Sequence, residues 1–181
     1  MDCPASPSCL LLLFCTALTF GQYKPLTLEL ADKPGNSVAT AIIPEEHGVI
    51  AAAFEAAGLS GLLNGAEAIT VFLPSDTSVI QWSGKPFSEL MRPENRKELR
   101  SLLTYHLVAG RLTAARILRA MCRGAGTTVF TTLQGNEILA SMQGTDILLT
   151  DCAGQTARIT AADIYEGNGV IHQISRVLLP R

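Results

Sequence analysis

Three side chains that together can run hydrolytic chemistry occur in this chain: the hydroxyl of Ser75, the carboxylate of Asp76 and the imidazole of His106. A hydroxyl becomes a nucleophile when an imidazole takes its proton and an acid orients that imidazole, so a hydrolase built on Ser75, Asp76 and His106 is one reading. Such catalysis also needs oxyanion donors and a pocket, and the sequence points to neither. It holds no G-x-S-x-G, no H-E-x-x-H and no Walker-type loop. Capping a helix needs a single hydrogen bond, whereas catalysis needs the whole geometry. On that ground Asp76 reads as a helix cap and His106 as a buried, neutral ring near it, with no catalytic residue and no cofactor expected.

The other candidate groups divide the same way. Gly124-Ala125-Gly126-Thr127-Thr128-Val129 begins like a dinucleotide fingerprint but lacks the third glycine. It also follows a helical pattern and precedes a strand, the reverse of the order that sets phosphate on a helix N-terminus. Tyr105 and His106 are partner-binding candidates: on an extended segment one ring packs inward while its neighbour is presented. His172, between Ile171 and Ile174, reads as a satisfied sheet histidine. Arg116, Arg119 and Arg123 fall on one stripe of a helix whose apolar face is Ile117, Leu118 and Met121. That stripe could meet anionic polysaccharide or lipid headgroups, although a solvated face suits a near-neutral protein better. None of the three histidines stands at ligand spacing to a cysteine, so no metal site is expected.

The chain that carries these groups has 181 residues, 48% hydrophobic and 17% charged, with a formal net charge of −2, which describes a folded domain with a substantial core. Fourteen basic against sixteen acidic residues leave no excess to neutralise phosphates, which argues against nucleic-acid binding. Cys9 to Phe20 is an uncharged apolar run, too short to span a bilayer and of signal-peptide length. Residues 1–21 therefore read as a cleaved export signal, although Met1 to Ser8 carries Asp2 and no Lys or Arg. Residues 22–45 read as a linker or N-terminal extension. Removing the signal leaves Cys122 and Cys152, which one disulfide could join in an oxidising compartment.

From about residue 46 the pattern is denser. Val49, Ile50, Ala53, Phe54 and Ala57 recur at helical spacing before Gly58, and Ile69 to Leu73, closed by Pro74, reads as a buried strand. Ser75-Asp76-Thr77 offers caps for a short helix, and Pro93 opens another that buries Leu99, Leu102 and Leu103. Tyr105 to Val108 reads as extended, and Thr113 caps the arginine-bearing helix. After Gly126 the period falls to two: 129–133, 138–142, 147–150, 156–160 and 170–179 are strand candidates separated by glycine turns. Helices first and consecutive hairpins after them predict an α+β fold with a largely antiparallel sheet.

Three blocks in order resemble one family. Thr70-Val71-Phe72-Leu73-Pro74-Ser75-Asp76 is similar to the first signature of fasciclin (FAS1) domains. Tyr105-His106 with Val108 and Gly110-Arg111-Leu112-Thr113-Ala114-Ala115 is similar to the Tyr-His block, and Asn168-Gly169-Val170-Ile171-His172 through Pro180 to the closing block. The resemblance covers residues 46–180, with Thr70, Pro74, Ser75, Asp76, Asn168, Gly169 and His172 as signature positions. Ser78-Val79, Ala109 and Arg116 depart from the usual pattern. The resemblance implies a wedge-like α+β domain, its helices packed on the sheet, similar to small secreted bacterial members. It implies export to the periplasm, cell surface or exterior, and non-catalytic adhesion to protein or glycan of the envelope or matrix. Membrane contact would be indirect, and the oligomeric state is left open. A third reading, a small-molecule or lipid carrier, would need a gap between helices and sheet.

Overall fold

The structure, a computed structural model, describes residues 48–83 and 87–180; the export-signal and linker readings for 1–21 and 22–45 lie outside them. The order is α1 (Gly48–Ala56), α2 (Ser60–Leu63), β1 (Ile69–Pro74), α3 (Asp76–Ser83), α4 (Phe87–Leu90), a 3-10 turn (Pro93–Asn95), α5 (Arg96–Tyr105), β2 (Leu107–Ala109) and α6 (Ala114–Arg123). Five strands complete it: β3 (Thr127–Thr131), β4 (Glu137–Gln143), β5 (Asp146–Thr150), β6 (Thr156–Glu166) and β7 (Gly169–Ile174). The sheet order is β2-β1-β7-β6-β5-β4-β3. Among the described residues every strand pairing is antiparallel except β1 with β7. This is the α+β architecture expected from the change of period.

Each helix forms where its apolar spacing meets a cap. Ile50, Ala53 and Phe54 bury one face of α1, and Gly58, at φ +69°, lets the chain turn so that Leu59 N–H reaches Phe54 O. Thr113 Oγ1 accepts from Arg116 N–H to start α6. Leu99, Leu102 and Leu103 bury α5 against α1, β1 and Val177. β1 is buried at every position because it is covered on both faces. Val71 and Leu73 join the helical cluster, while Phe72 joins a second cluster with Tyr105, Ile117, Met121 and the inward residues of β4 and β5. Val108 bridges to Thr132, and Leu133 N–H bonds Leu107 O at 2.7 Å, so the two ends of the sheet order are tied together.

Several boundaries differ from the sequence pattern. Tyr105 is the last residue of α5 and His106 its C-cap, so the extended segment begins only at Leu107. β3 starts at Thr127, two residues early. β6 continues to Glu166 because register shifts at Ile159/Ala161 and Ala161/Ile164, with Asp163 at φ +59°, break the alternation that marks a strand. β7 stops at Ile174, and the chain beyond it is held by other means. Leu118 is 38% exposed and does not belong to the inward face of α6, which buries Ile117 and Met121. Cys122 and Cys152 are free thiols: Cys122 faces solvent, while Cys152 Sγ lies 3.5 Å from both Tyr105 Oη and Glu137 O.

The glycine-rich run after α6 is a helix-to-strand turn. Gly124 N–H bonds Ala120 O and Met121 O, and Gly126 N–H returns to Met121 O. A Cβ on Gly124 would collide with the carbonyl oxygen of Thr127, whereas Ala125 occupies the left-handed region at φ +54°. Gly124→Ala should therefore cost about 1–3 kcal/mol. Ala125→Gly should raise stability by about 0.5–1 kcal/mol by removing the left-handed strain of a Cβ. Urea denaturation of the two variants checks both signs.

Candidate functional site

The signature side chains converge on backbone groups at places where the chain leaves its ladders. Asp76, at the start of α3, accepts from Val49 N–H at 3.1 Å and Ile50 N–H at 3.2 Å, so it caps α1 across 27 positions of sequence. Ser75 Oγ accepts from Ser78 N–H and lies 2.8 Å from Ser78 Oγ. Ser78 Oγ donates to Ser175 O, tying α3 to the segment after β7. Pro74 ends β1 in a buried position beside Ile174.

His106 is 2% exposed and both ring nitrogens are used. Nε2 accepts from Leu178 N–H at 3.0 Å, which fixes the proton on Nδ1, and Nδ1–H donates to Leu102 O at 2.9 Å. Its backbone carbonyl accepts from Phe72 N–H. One residue therefore joins α5, β1 and the C-terminal segment. Burial drives the imidazole pKa from 6.5 down to about 4, opposed by its bond to Leu102 O and by the Asp151 charge. Tyr105, fully enclosed, donates its hydroxyl to Glu137 O at 2.9 Å and accepts from Cys152 N–H at 3.2 Å. Burial pushes its phenol well above the usual range, so it stays protonated. The two rings meet edge to face with centroids 6.4 Å apart. The expected alternation, one ring inward and one presented, does not occur, because both residues end a helix rather than occupy a strand. Neither ring offers surface to a partner.

The closing block works alike. His172, fully buried, stacks on Phe72 at 5.7 Å, donates from Nε2 to Leu112 O at 2.6 Å and accepts at Nδ1 from Asp163 N–H at 3.3 Å. Burial lowers its pKa as well. Thr70, also fully buried, donates to Gly110 O and accepts from Leu112 N–H, fixing the loop that enters α6. Asn168 Nδ2 donates to Glu67 O, and Gly169 is buried beside Ile69.

Two carboxylates that sequence reasoning did not single out belong to this set. Asp151 accepts from Ala153 and Gln155 N–H to shape its own turn, and from Leu179 N–H at 2.9 Å to hold the C-terminal segment. The turn signal was visible; the bond across 28 positions was not. Asp163 accepts from Ala114 N–H at 2.8 Å, a second cap on α6, and sits past the apparent end of its strand. Its only sequence signal was a polar residue interrupting an alternating run.

What this arrangement can do chemically follows from what is left over. Ser75, Asp76 and His106 do not form a relay: the Asp76 carboxylate faces α1, the His106 ring faces Leu102 and Leu178, and Ser75 faces Ser78. The cavity beside His106, between helices and sheet, measures about 20 Å3 and is lined by Ile50, Phe54, Leu103, Val177 and other apolar groups. That is close to the space of one water and excludes the carrier reading there. Arg116, Arg119 and Arg123 are exposed on α6, with Arg116 bonding Arg111 O.

The buried histidines make stability pH-dependent with a definite sign. Between pH 6.5 and about 4 the unfolded chain binds a proton at residue 106 that the native chain refuses. Stability should therefore fall as pH drops through this window and level off below it, by about 3 kcal/mol at roughly 1.4 kcal/mol per pH unit; His172 adds in the same direction. Urea midpoints from pH 7.5 to 4 should show this slope, and His106→Gln should reduce it to the part that His172 contributes. His106→Ala should cost about 3 kcal/mol at pH 7, because it strands Leu102 O and Leu178 N–H.

Comparison with known proteins agrees with this geometry. The model of the fasciclin domain matches residues 45–180. Protein sll1483 of Synechocystis is 31% identical over 140 residues, covering 75% of this chain and 68% of that protein. Fasciclin-like arabinogalactan protein 15 of Arabidopsis thaliana is 29% identical over 181 residues, covering 94% of this chain, which spans 37% of that longer protein. Among solved structures, the FAS1 domain pair of the insect cell adhesion molecule Fasciclin I aligns with a TM-score of 0.52 at 23% identity. That alignment covers 72% of this chain and 45% of the insect chain, and it speaks for the fold alone. By the match of the fasciclin domain model over residues 45–180, the chain belongs to the fasciclin domain family.

Proposed function

We propose that this protein is an exported, non-catalytic interaction domain that holds protein or glycan at the cell envelope or in the extracellular matrix. In this reading residues 1–21 are the removed export signal, 22–45 a tether and 46–180 the working domain. The observation that carries it is the commitment of the signature groups: both His106 nitrogens and both Asp76 oxygens bond backbone. Groups spent in this way are unavailable for proton transfer, and the outer surface is left for contact. The name of the insect relative, a cell adhesion molecule, supports the same direction.

Two measurements test it. Mass spectrometry of the protein recovered outside the cytoplasm should give a mature chain beginning near Gln22; an intact Met1 in exported protein would overturn the signal reading. Beads coated with the chain should bind an envelope preparation saturably and lose binding on unfolding. Retention no greater than that of albumin-coated beads would overturn the contact reading.

A further inference from the structure

Several side chains that remain uncommitted line one cleft. It encloses about 360 Å3 beside α3 and is lined by Ser78, Gln81, Gln155, Ser175, Arg176 and Val177. Small-ligand clefts run from about 300 to 1,000 Å3. Val177 is buried; the other lining residues are polar, and no carboxylate is among them. Asp76 and Asp151, the neighbouring acids, spend their oxygens on backbone N–H groups.

The polar inventory is specific. The guanidinium of Arg176 is exposed and, among the described residues, has no partner; the same holds for the side-chain amides of Gln81 and Gln155. Ser78 spends its proton on Ser175 O, so in the 2.8 Å serine pair Ser75 donates to Ser78. Ser175 Oγ accepts from Arg158 N–H and keeps its own proton free. The cleft therefore presents one planar cation, two amides that both donate and accept, and one free hydroxyl proton.

It is also pre-set. Although residues after Ile174 form no strand, Ser175 N–H bonds Arg158 O, Leu178 N–H bonds His106, and Leu179 N–H bonds Asp151. Arg176 thus stands on a short segment pinned on both sides, which lowers the ordering cost of binding.

We propose that this cleft binds a uronic-acid residue of an acidic polysaccharide. The carboxylate pairs with the fork of Arg176, and the ring hydroxyls, each a donor and an acceptor, pair with Gln81, Gln155 and Ser175. A neutral sugar leaves the guanidinium unpaired, and a phosphate brings only one or two hydroxyl protons to the amide carbonyls, fewer donors than a sugar ring carries. The proposal rests on the contact reading above and narrows its partner.

The test is titration of the full chain, followed by NMR or calorimetry, with methyl β-D-glucuronide, methyl β-D-glucoside and inorganic phosphate. The glucuronide should bind at least about tenfold more tightly than either other ligand, the scale of one charge-assisted contact. Arg176→Ala should lose at least about tenfold in affinity with an unchanged melting temperature, and Gln155→Ala should weaken the glucuronide more than phosphate. Equal binding of glucuronide and glucoside, phosphate binding as tightly as the sugar, or an unaffected Arg176→Ala would each overturn the assignment. No glucuronide binding with envelope adhesion intact removes the cleft and keeps the contact reading; loss of adhesion in the native chain removes that reading itself.

Discussion

A fold that leaves its secondary structure in the middle of its core has to give every stranded N–H and C=O a partner. In this protein the most demanding such place is the meeting of α5, β1 and the segment after β7, where no ladder continues. His106 resolves it by lending two ring nitrogens and one carbonyl to Leu102, Leu178 and Phe72. The imidazole suits the task because its neutral form carries one donor and one acceptor on opposite sides of a rigid ring. An unsatisfied buried backbone group costs about 1–3 kcal/mol, a large share of a domain's net stability. The same solution recurs at His172, which joins the loop before α6 to the bulge of β6.

The carboxylates extend the scheme. Asp76, Asp151 and Asp163 each accept from backbone N–H groups of another element: the N-termini of α1 and α6 and the last residues of the chain. Because these acceptors serve donors far away in sequence, they fix tertiary relations, and Asp151 shapes its own turn as well. Thr70 and Tyr105 do the same with single hydroxyls. Hydrogen bonds therefore supply the joints between elements, and the two apolar clusters supply the burial that holds each joint dry.

How much of this the sequence disclosed depends on range. Elements whose signals are local were readable: the apolar spacing of α1 with Gly58, the ITVFLP run of β1, the Thr113 cap and the paired strands of the second half. Boundaries failed where a bulge interrupts alternation, as at Ala161 to Asp163, or where a helix runs on through residues with strand propensity, as at Tyr105. The signature polar residues could be picked out by resemblance, and Asp76 by its capping chemistry. Their partners could not, because Val49, Leu178 and Leu179 carry no mark in sequence that they offer a backbone N–H to a distant side chain. Nor does sequence show a thiol's neighbours, which is why Cys122 and Cys152 could be paired on paper yet stand free in space.

Bracing from within also shapes what the exterior can do. A residue such as Arg176 changes no joint when it changes, since its neighbours Ser175, Leu178 and Leu179 are held through their backbone N–H groups rather than through its side chain. Surface chemistry can thus vary while position is kept. Acid that protonates His106 removes the acceptor for Leu178 N–H, two residues from the arginine, so the backbone that carries Arg176 and the integrity of the core depend on the same neutral imidazole.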